Sequence, residues 1–227
     1  MHFLNLHTHK SSNDDSVLDI VNIYPNEFPA GVKYYSTGIH PWHIQIDKID
    51  EELAIIESML VEHNCLALGE CGLDKRVETP MELQAEVFEK QLLIAQRHQM
   101  PIILHCVAAF GEVIEMKKRL KISIPIIVHG FSKNEQTAKQ LLDNGFYLSF
   151  GKYLLRNPEL ESVFKMVPDD RFFLETDTIE ESIGEVYALA SKYRNISLEA
   201  LQQLINKNFI FVFNRSGKIQ QANNLSI

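Results

Sequence analysis

The chain has 227 residues and a mass of 26.1 kDa, with 45% hydrophobic and 23% charged residues; it can bury a full core, which excludes global disorder. No stretch is long and apolar enough to span a bilayer, and no basic region followed by an apolar segment opens the chain, so it reads as cytoplasmic, with no membrane partner. The net charge of -8 argues against a broad, sequence-independent grip on duplex DNA, although bound divalent cations would add positive charge that this count omits.

Apolar runs and helical patterns then follow one another. "FLNLHTH" (3–9), "LDIVNIY" (18–24) and "KYYSTGIH" (33–40) read as strands. The spaces between them are too short for two ordinary crossover helices, so the first two βα units are expected to be abbreviated. "KIDEELAIIESMLVEH" (48–63) is helical, with apolar residues at 49, 53, 56 and 60. The strand "CLALGECGLD" (65–74) precedes the helix "MELQAEVFEKQLLIAQRH" (81–98), which starts after Pro80. The strands "PIILHC" (101–106) and "PIIVHG" (125–130) flank the helix "AFGEVIEMKKRLK" (109–121). The helix "NEQTAKQLLDN" (134–144) ends at Gly145, where a C-cap glycine belongs. The last strands are "FYLSF" (146–150) and "FFLETD" (172–177), and "ETDTIEESIGEVYALASKY" passes almost directly into a helix. The tail, "SLEALQQLINKNFIFVFN" (197–214), reads as one or two helices capped by Ser197. About eight strands, mostly apolar throughout and mostly separated by helices, predict parallel βαβ units buried on both faces. The expected fold is α/β, a (β/α)8 TIM-type barrel. No linker or repeat divides the chain, so residues 1–227 are expected to form a single domain.

Cys65, Cys71 and Cys106 are odd in number and form no C-x-x-C pair, so they read as small core residues rather than a disulfide framework. The acids and histidines carry more information. His7 and His9, two apart, would leave the end of the first strand on one face. His40, Glu70, His105, His129 and Asp177 likewise fall at or near strand ends. In a barrel those C-terminal ends converge on one face, where active sites are built. A lone histidine after an apolar run is usually structural; several sharing one topological position are not explained that way. Histidine and carboxylate together form a mixed N/O set suited to Zn2+, Mn2+ or Fe2+.

In this order, "HTH", "GIHP", "GECGLD", "ILHC", "VHGFS" and "LETD" resemble the TatD family of metal-dependent hydrolases, TatD-type deoxyribonucleases within the amidohydrolase superfamily. The match runs from about residue 3 to residue 177, and Gln84 falls where the family has a glutamine. The resemblance implies two divalent metal ions, Zn, Mg or Mn. His7 and His9 would bind the first, Glu70 would bridge both, and His105 and His129 would bind the second. Asp177 would touch the first and take a proton from the attacking water, so Asp177 and Glu70 are the implied catalytic residues. The physical logic stands beside the family: two nearby cations acidify a water and stabilise charge on a phosphoryl oxygen.

His40 fits the first histidine of the family's "HPH" and is expected to contact substrate. The motif reads "HPWH" here, and Trp42 would either stack on a base or plug the barrel rim. Lys117, Lys118, Arg119 and Lys121 read as a solvated helix end facing away from the site, while Lys10, Lys75, Arg76, Lys133 and Lys152 are candidates for its rim. The segment after "ETD" lacks the family's proline and long loop and carries Glu180, Glu181 and Glu185. The leading expectation is a metal-dependent hydrolase cleaving phosphodiester bonds of DNA ends or short nucleic acids. The alternatives are a hydrolase of a small-molecule amide, ester or lactone, and a metal-binding protein without turnover; the complete ligand set that the resemblance implies counts against the last.

Overall fold

The computed structural model describes residues 2–27 and 31–214. The apolar runs become β1 (Phe3–Thr8), β2 (Val17–Ile23), β3 (Tyr34–Thr37), β4 (Cys65–Asp74), β5 (Ile102–Val107), β6 (Ile126–Val128), β7 (Tyr147–Phe150) and β8 (Phe172–Leu174). They pair side by side in chain order from β1 to β8, each pair parallel. An isolated parallel bridge between Thr8 and Asp177 draws the two ends together into a nearly closed barrel. There Asp177 N–H donates to His7 O at 2.9 Å and His9 N–H donates to Asp177 O at 3.2 Å. The barrel seam therefore brings a histidine-bearing strand against the segment that carries Asp177.

Strands enclosed by helices have little contact with water, and β4 shows the result: all ten of its residues are buried, Glu70 included. Gly72 in that strand has φ of +146°, and a Cβ there would collide with the carbonyl of His105 on β5. Only glycine permits so close an approach of the two strands that carry Glu70 and His105. Register shifts interrupt β1–β2 between Asn5 and Thr8, and β4–β5 between Leu68 and Cys71. Such irregularities re-aim side chains, and here they bracket His7 and Glu70.

The helices are α1 (Ile49–Met59), α2 (Met81–His98), α3 (Phe110–Arg119), α4 (Glu135–Asp143), α5 (Lys152–Arg156), α6 (Leu160–Met166), α7 (Ile183–Arg194) and α8 (Leu198–Phe213). Among the described residues no helix follows β1 or β2, as the short spacings require. Between β3 and α1 lie two 3-10 turns, Pro41–His43 and Ile46–Lys48. The tail is one helix, α8, capped by Ser197, whose hydroxyl accepts from Ala200 N–H. Helices α5 and α6 were not expected from the sequence. Each is too short to display a helical period, and Asn157, Pro158 and Glu159 separate them. All three cysteines are buried and unbridged. No helix of the described residues is long and apolar enough to cross a membrane.

Helix α7 is locked to the first strand by Tyr187, whose hydroxyl accepts from Leu4 N–H (3.2 Å) and donates to Leu4 O (3.0 Å). Helix α8 is tied to β8 through Asn208, whose side-chain amide donates to Asp169 O and Phe172 O. The last two helices thus hold the β1–β8 seam closed, and with it the approach of His7 to Asp177.

Candidate metal centre

Glu70 is the hub of the histidines at the strand ends, and its two oxygens divide them. Oε2 lies 3.4 Å from both His7 Nε2 and His9 Nε2. Oε1 lies 2.8 Å from His129 Nε2, 2.9 Å from His105 Nδ1 and 3.1 Å from His40 Nε2. Asp177 joins the first set, with Oδ1 3.8 Å from His7 Nε2 and 3.6 Å from His9 Nε2. All six residues expected to ligate metal are therefore brought together. His40, expected to meet substrate, is buried within the same cluster, whereas Trp42 stands at its mouth with 58% of its surface exposed.

Polar residues on neighbouring strands hold these groups in place. Glu70 N–H donates to Asn22 Oδ1 on β2 at 2.7 Å. Asn5 on β1 accepts from Thr176 N–H at 2.9 Å and donates to Thr176 Oγ1, fixing the residue before Asp177. Asp177 itself adopts φ of +56°, a left-handed conformation that aspartate tolerates better than most residues.

His7 tests whether a cation fits. Its ring is fully buried, and neither Nδ1 nor Nε2 has a hydrogen-bond partner. A buried polar group left so costs about 1–3 kcal/mol, and a cation beside Nε2 would remove that cost there. The donor atoms of His7, His9 and Glu70 lie within 4.8 Å of one another, as do those of His7, His129 and Asp177, and those of His40, Glu70 and His105. This nitrogen and carboxylate set is able to bind metal.

Burial alone would raise the Glu70 carboxyl, but the charge of His129 and hydrogen bonds from His105, His129 and His40 hold it well below the usual carboxylate range. Burial would lower His129, yet the Glu70 and Glu175 carboxylates hold its ring well above the usual value. Burial prevails at His40 and lowers it, while the contact with Glu70 raises His9. Without metal, protons thus supply the positive charge that the carboxylates require, and a cation would compete with them.

Two further buried carboxylates, with no role legible in the sequence, join the site. Asp74 Oδ2 accepts from Trp42 Nε1 (2.8 Å) and lies 3.2 Å from His105 Nε2, and Asp74 Oδ1 accepts from Arg76 N–H. Gln84 clamps the Asp74 backbone, accepting from its N–H and donating to its carbonyl. Glu175 Oε1 accepts from Gly130 N–H at 2.6 Å and lies 3.4 Å from His129 Nδ1. Both acids sit inside the "GLD" and "ETD" motifs, so the signal was present, but their direction was not readable. Tyr24, stacked edge-on against His43 at 5.1 Å, also lines the site, and nothing in the sequence marked it.

These residues floor a cleft of about 730 Å³. Arg76, Lys133 and Lys152 line it, whereas Lys75 is ion-paired with Glu112. The basic run closes the last turn of α3, ahead of β6 and therefore at the other end of the strands, where Arg119 pairs with Glu89 at 2.6 Å. The model of the family described as TatD related DNase matches residues 2–214. The chain belongs to the TatD family. The uncharacterized metal-dependent hydrolase YabD of Bacillus subtilis is 33% identical over 148 residues, covering 63% of this chain and 58% of YabD. The 3'-5' ssDNA/RNA exonuclease TatD of Cronobacter turicensis is 32% identical over 148 residues, covering 63% of this chain and 56% of that protein. The aligned part falls well short of either relative's full length. Among solved structures, YJJV, a TatD homologue from Escherichia coli K12, superposes with a TM-score of 0.79 at 22% identity, covering 93% of this chain and 98% of that one. A TatD family hydrolase from Entamoeba histolytica gives a TM-score of 0.69 at 21% identity, with coverages of 79% and 74%. At these identities the structural likeness speaks for the shared barrel.

Proposed function

We propose that this TatD-family chain is a divalent-metal-dependent phosphodiesterase acting on the ends of single-stranded or short nucleic acids. The observation that carries the reading is the division of labour at Glu70: one carboxylate oxygen faces His7 and His9, the other faces His105 and His129. That is how a carboxylate would serve two cations at once. His7, His9 and Asp177 would complete the first site, and His105 and His129 the second. When bound, the cations acidify a water and stabilise negative charge on the phosphoryl oxygen. Asp177 has a partly exposed side chain on the cleft, 23% accessible, so its carboxylate can receive the proton that water gives up. His40 and Trp42 meet the substrate, the former from the floor and the latter from the rim. Arg76, Lys133 and Lys152 offer charge for a few phosphates but not for a long duplex. The Cronobacter relative is a 3'-5' ssDNA/RNA exonuclease, which supports the same substrate class.

The test uses metal-free protein supplied separately with Mg2+, Mn2+ and Zn2+. Each preparation is offered single-stranded DNA and RNA, a generic phosphodiester and a panel of carboxylic esters, lactones and amides. Metal-dependent release of nucleotides from strand ends is the expected result. Turnover confined to the carboxylic substrates would overturn the phosphodiesterase reading while leaving the metal centre intact.

A further inference from the structure

Trp42 is the only tryptophan in the chain, and it combines two properties that seldom coincide. It is 58% exposed at the mouth of the cleft, yet it is anchored at both ends. Its backbone N–H donates to His40 Nδ1 at 3.1 Å, and its indole Nε1 donates to Asp74 Oδ2 at 2.8 Å. The indole stands perpendicular to His40, with ring centroids 5.1 Å apart, and nearly so to His105 at 5.9 Å. A residue that merely plugged the rim would bury its ring. An exposed indole held still from below instead presents a large stacking surface whose ordering entropy has already been spent, the feature that makes tryptophan effective at binding sites.

The anchor itself is well secured. Asp74 is 2% exposed, its backbone is gripped by Gln84, and its other oxygen accepts from Arg76 N–H. The oxygen that holds the indole also lies 3.2 Å from His105 Nε2, leaving His105 Nδ1 to face Glu70. One buried oxygen thus orients both a ring at the cleft mouth and an imidazole of the metal centre.

We propose that Trp42 is a fixed platform on which an unpaired terminal nucleobase stacks, and that Asp74 is the positioning residue that aligns this platform with His105. The proposal rests on the phosphodiesterase reading and narrows its substrate to strands that end in a free base. In a blunt duplex end, pairing and neighbouring stacks restrain the base; at an abasic end there is no ring to seat. Base–aromatic stacking is sequence-tolerant, so discrimination should concern the presence of a base rather than its identity.

The single tryptophan makes the test direct. The metal-loaded Asp177→Asn protein is titrated with short oligodeoxynucleotides that end in thymidine or in an abasic tetrahydrofuran residue, while Trp42 emission is followed. Quenching by the base-bearing strand, with binding roughly tenfold tighter than for the abasic strand, is expected from the usual strength of one stack. In the protein with Asp177 intact, kcat/KM should favour the base-bearing end by a similar factor. Trp42→Ala should bring that ratio near one, and Trp42→Phe, which keeps a ring but loses the N–H, should retain part of it. Asp74→Ala should lower the steady-state anisotropy of Trp42, and Asp74→Asn, which keeps an acceptor oxygen, should restore it. Equal binding of both strands without quenching would overturn the platform, whether or not either strand is cleaved. Unchanged anisotropy in a folded Asp74→Ala protein would overturn the positioning role; if that variant does not fold, full discrimination by Trp42→Phe, which lacks the N–H that Asp74 accepts, would do so. Quenching by the base-bearing strand, with no cleavage by the protein with Asp177 intact under any metal, would instead sink the phosphodiesterase reading and leave the platform standing.

Discussion

At the residue scale, the proposed chemistry turns on one carboxylate with two oxygens and two audiences. Because Glu70 Oε2 faces His7 and His9 while Oε1 faces His105 and His129, its loss should be felt on both sides. We expect Glu70→Ala to weaken both proposed metal sites together, measured as metal content after anaerobic, metal-supplemented purification; retention of two ions with unchanged affinity would rule out bridging. Asp177 makes a different prediction. Asp177→Asn keeps the size and much of the shape but removes the basic oxygen, so turnover should fall on the order of 10²-fold or more. Metal content must be measured in the same sample, since Asp177 also lies beside His7 and His9. Near-normal turnover with metals in place would exclude it as the essential base.

At the element scale, the short path from Asp177 into α7 lets a capping motif bear on the barrel seam. Ser182 and Glu185 form a reciprocal capping box: the Ser182 hydroxyl accepts from Glu185 N–H, and the Glu185 carboxylate accepts from Ser182 N–H. This cap starts the helix whose Tyr187 is bonded to Leu4. Ser182→Ala should therefore lower unfolding stability by about 1 kcal/mol, the usual value of an N-cap, as read from urea denaturation. Stability unchanged within error would mean that tertiary contacts alone set the start of α7. The same scale shows where legibility ended. Helices with a buried face of several turns, such as α1 with Ile49, Leu53 and Ile56, were visible as periodic apolar positions. Helices α5 and α6 hold their places through packing, with Leu154, Leu160, Val163 and Phe164 buried, over lengths that cannot display a period.

At the scale of the whole molecule, buried charge couples stability to pH. The folded protein holds His129 above its ordinary value, so that contribution is complete below the unfolded histidine value and is lost as pH rises through the raised one. Glu70 is held below its ordinary value, so its contribution is complete above the unfolded carboxyl value and is lost as pH falls through the depressed one. The two conditions overlap between about pH 4.5 and 6.5, set by the unperturbed values of glutamate and histidine. Metal-free protein should show its highest Tm in that window and decline on the alkaline side. Divalent metal should restore the alkaline arm, because the ligands bind it deprotonated. A Tm that is flat from pH 5 to 9 in chelator would contradict this. Charge also bounds the substrate. With a net charge of -8 and, among the described residues, three basic side chains along the cleft, binding of duplex DNA to the Asp177→Asn protein should show a shallow salt dependence, equivalent to about one to three phosphates. A slope equivalent to six or more phosphates would refute a small, metal-centred site.

The sequence by itself determined the barrel and the face on which the candidate site gathers. Eight buried runs interleaved with helices leave parallel pairing as the economical arrangement, and the strand ends of such a barrel converge whatever their details. That is why His7, His9, Glu70, His105, His129 and Asp177 could be placed together from order and spacing. Tertiary structure alone decided what depends on the direction of a side chain across large sequence separations. It divided the histidines between the two oxygens of Glu70, buried His40 among them, aimed Glu175 at His129, and tied Trp42 to an aspartate 32 residues away. Spacing along a chain reports which end of a strand a residue occupies. The aim of its side chain is set by register shifts, by the closeness permitted at Gly72, and by closure of the seam between Thr8 and Asp177, none of which exists until the barrel has formed.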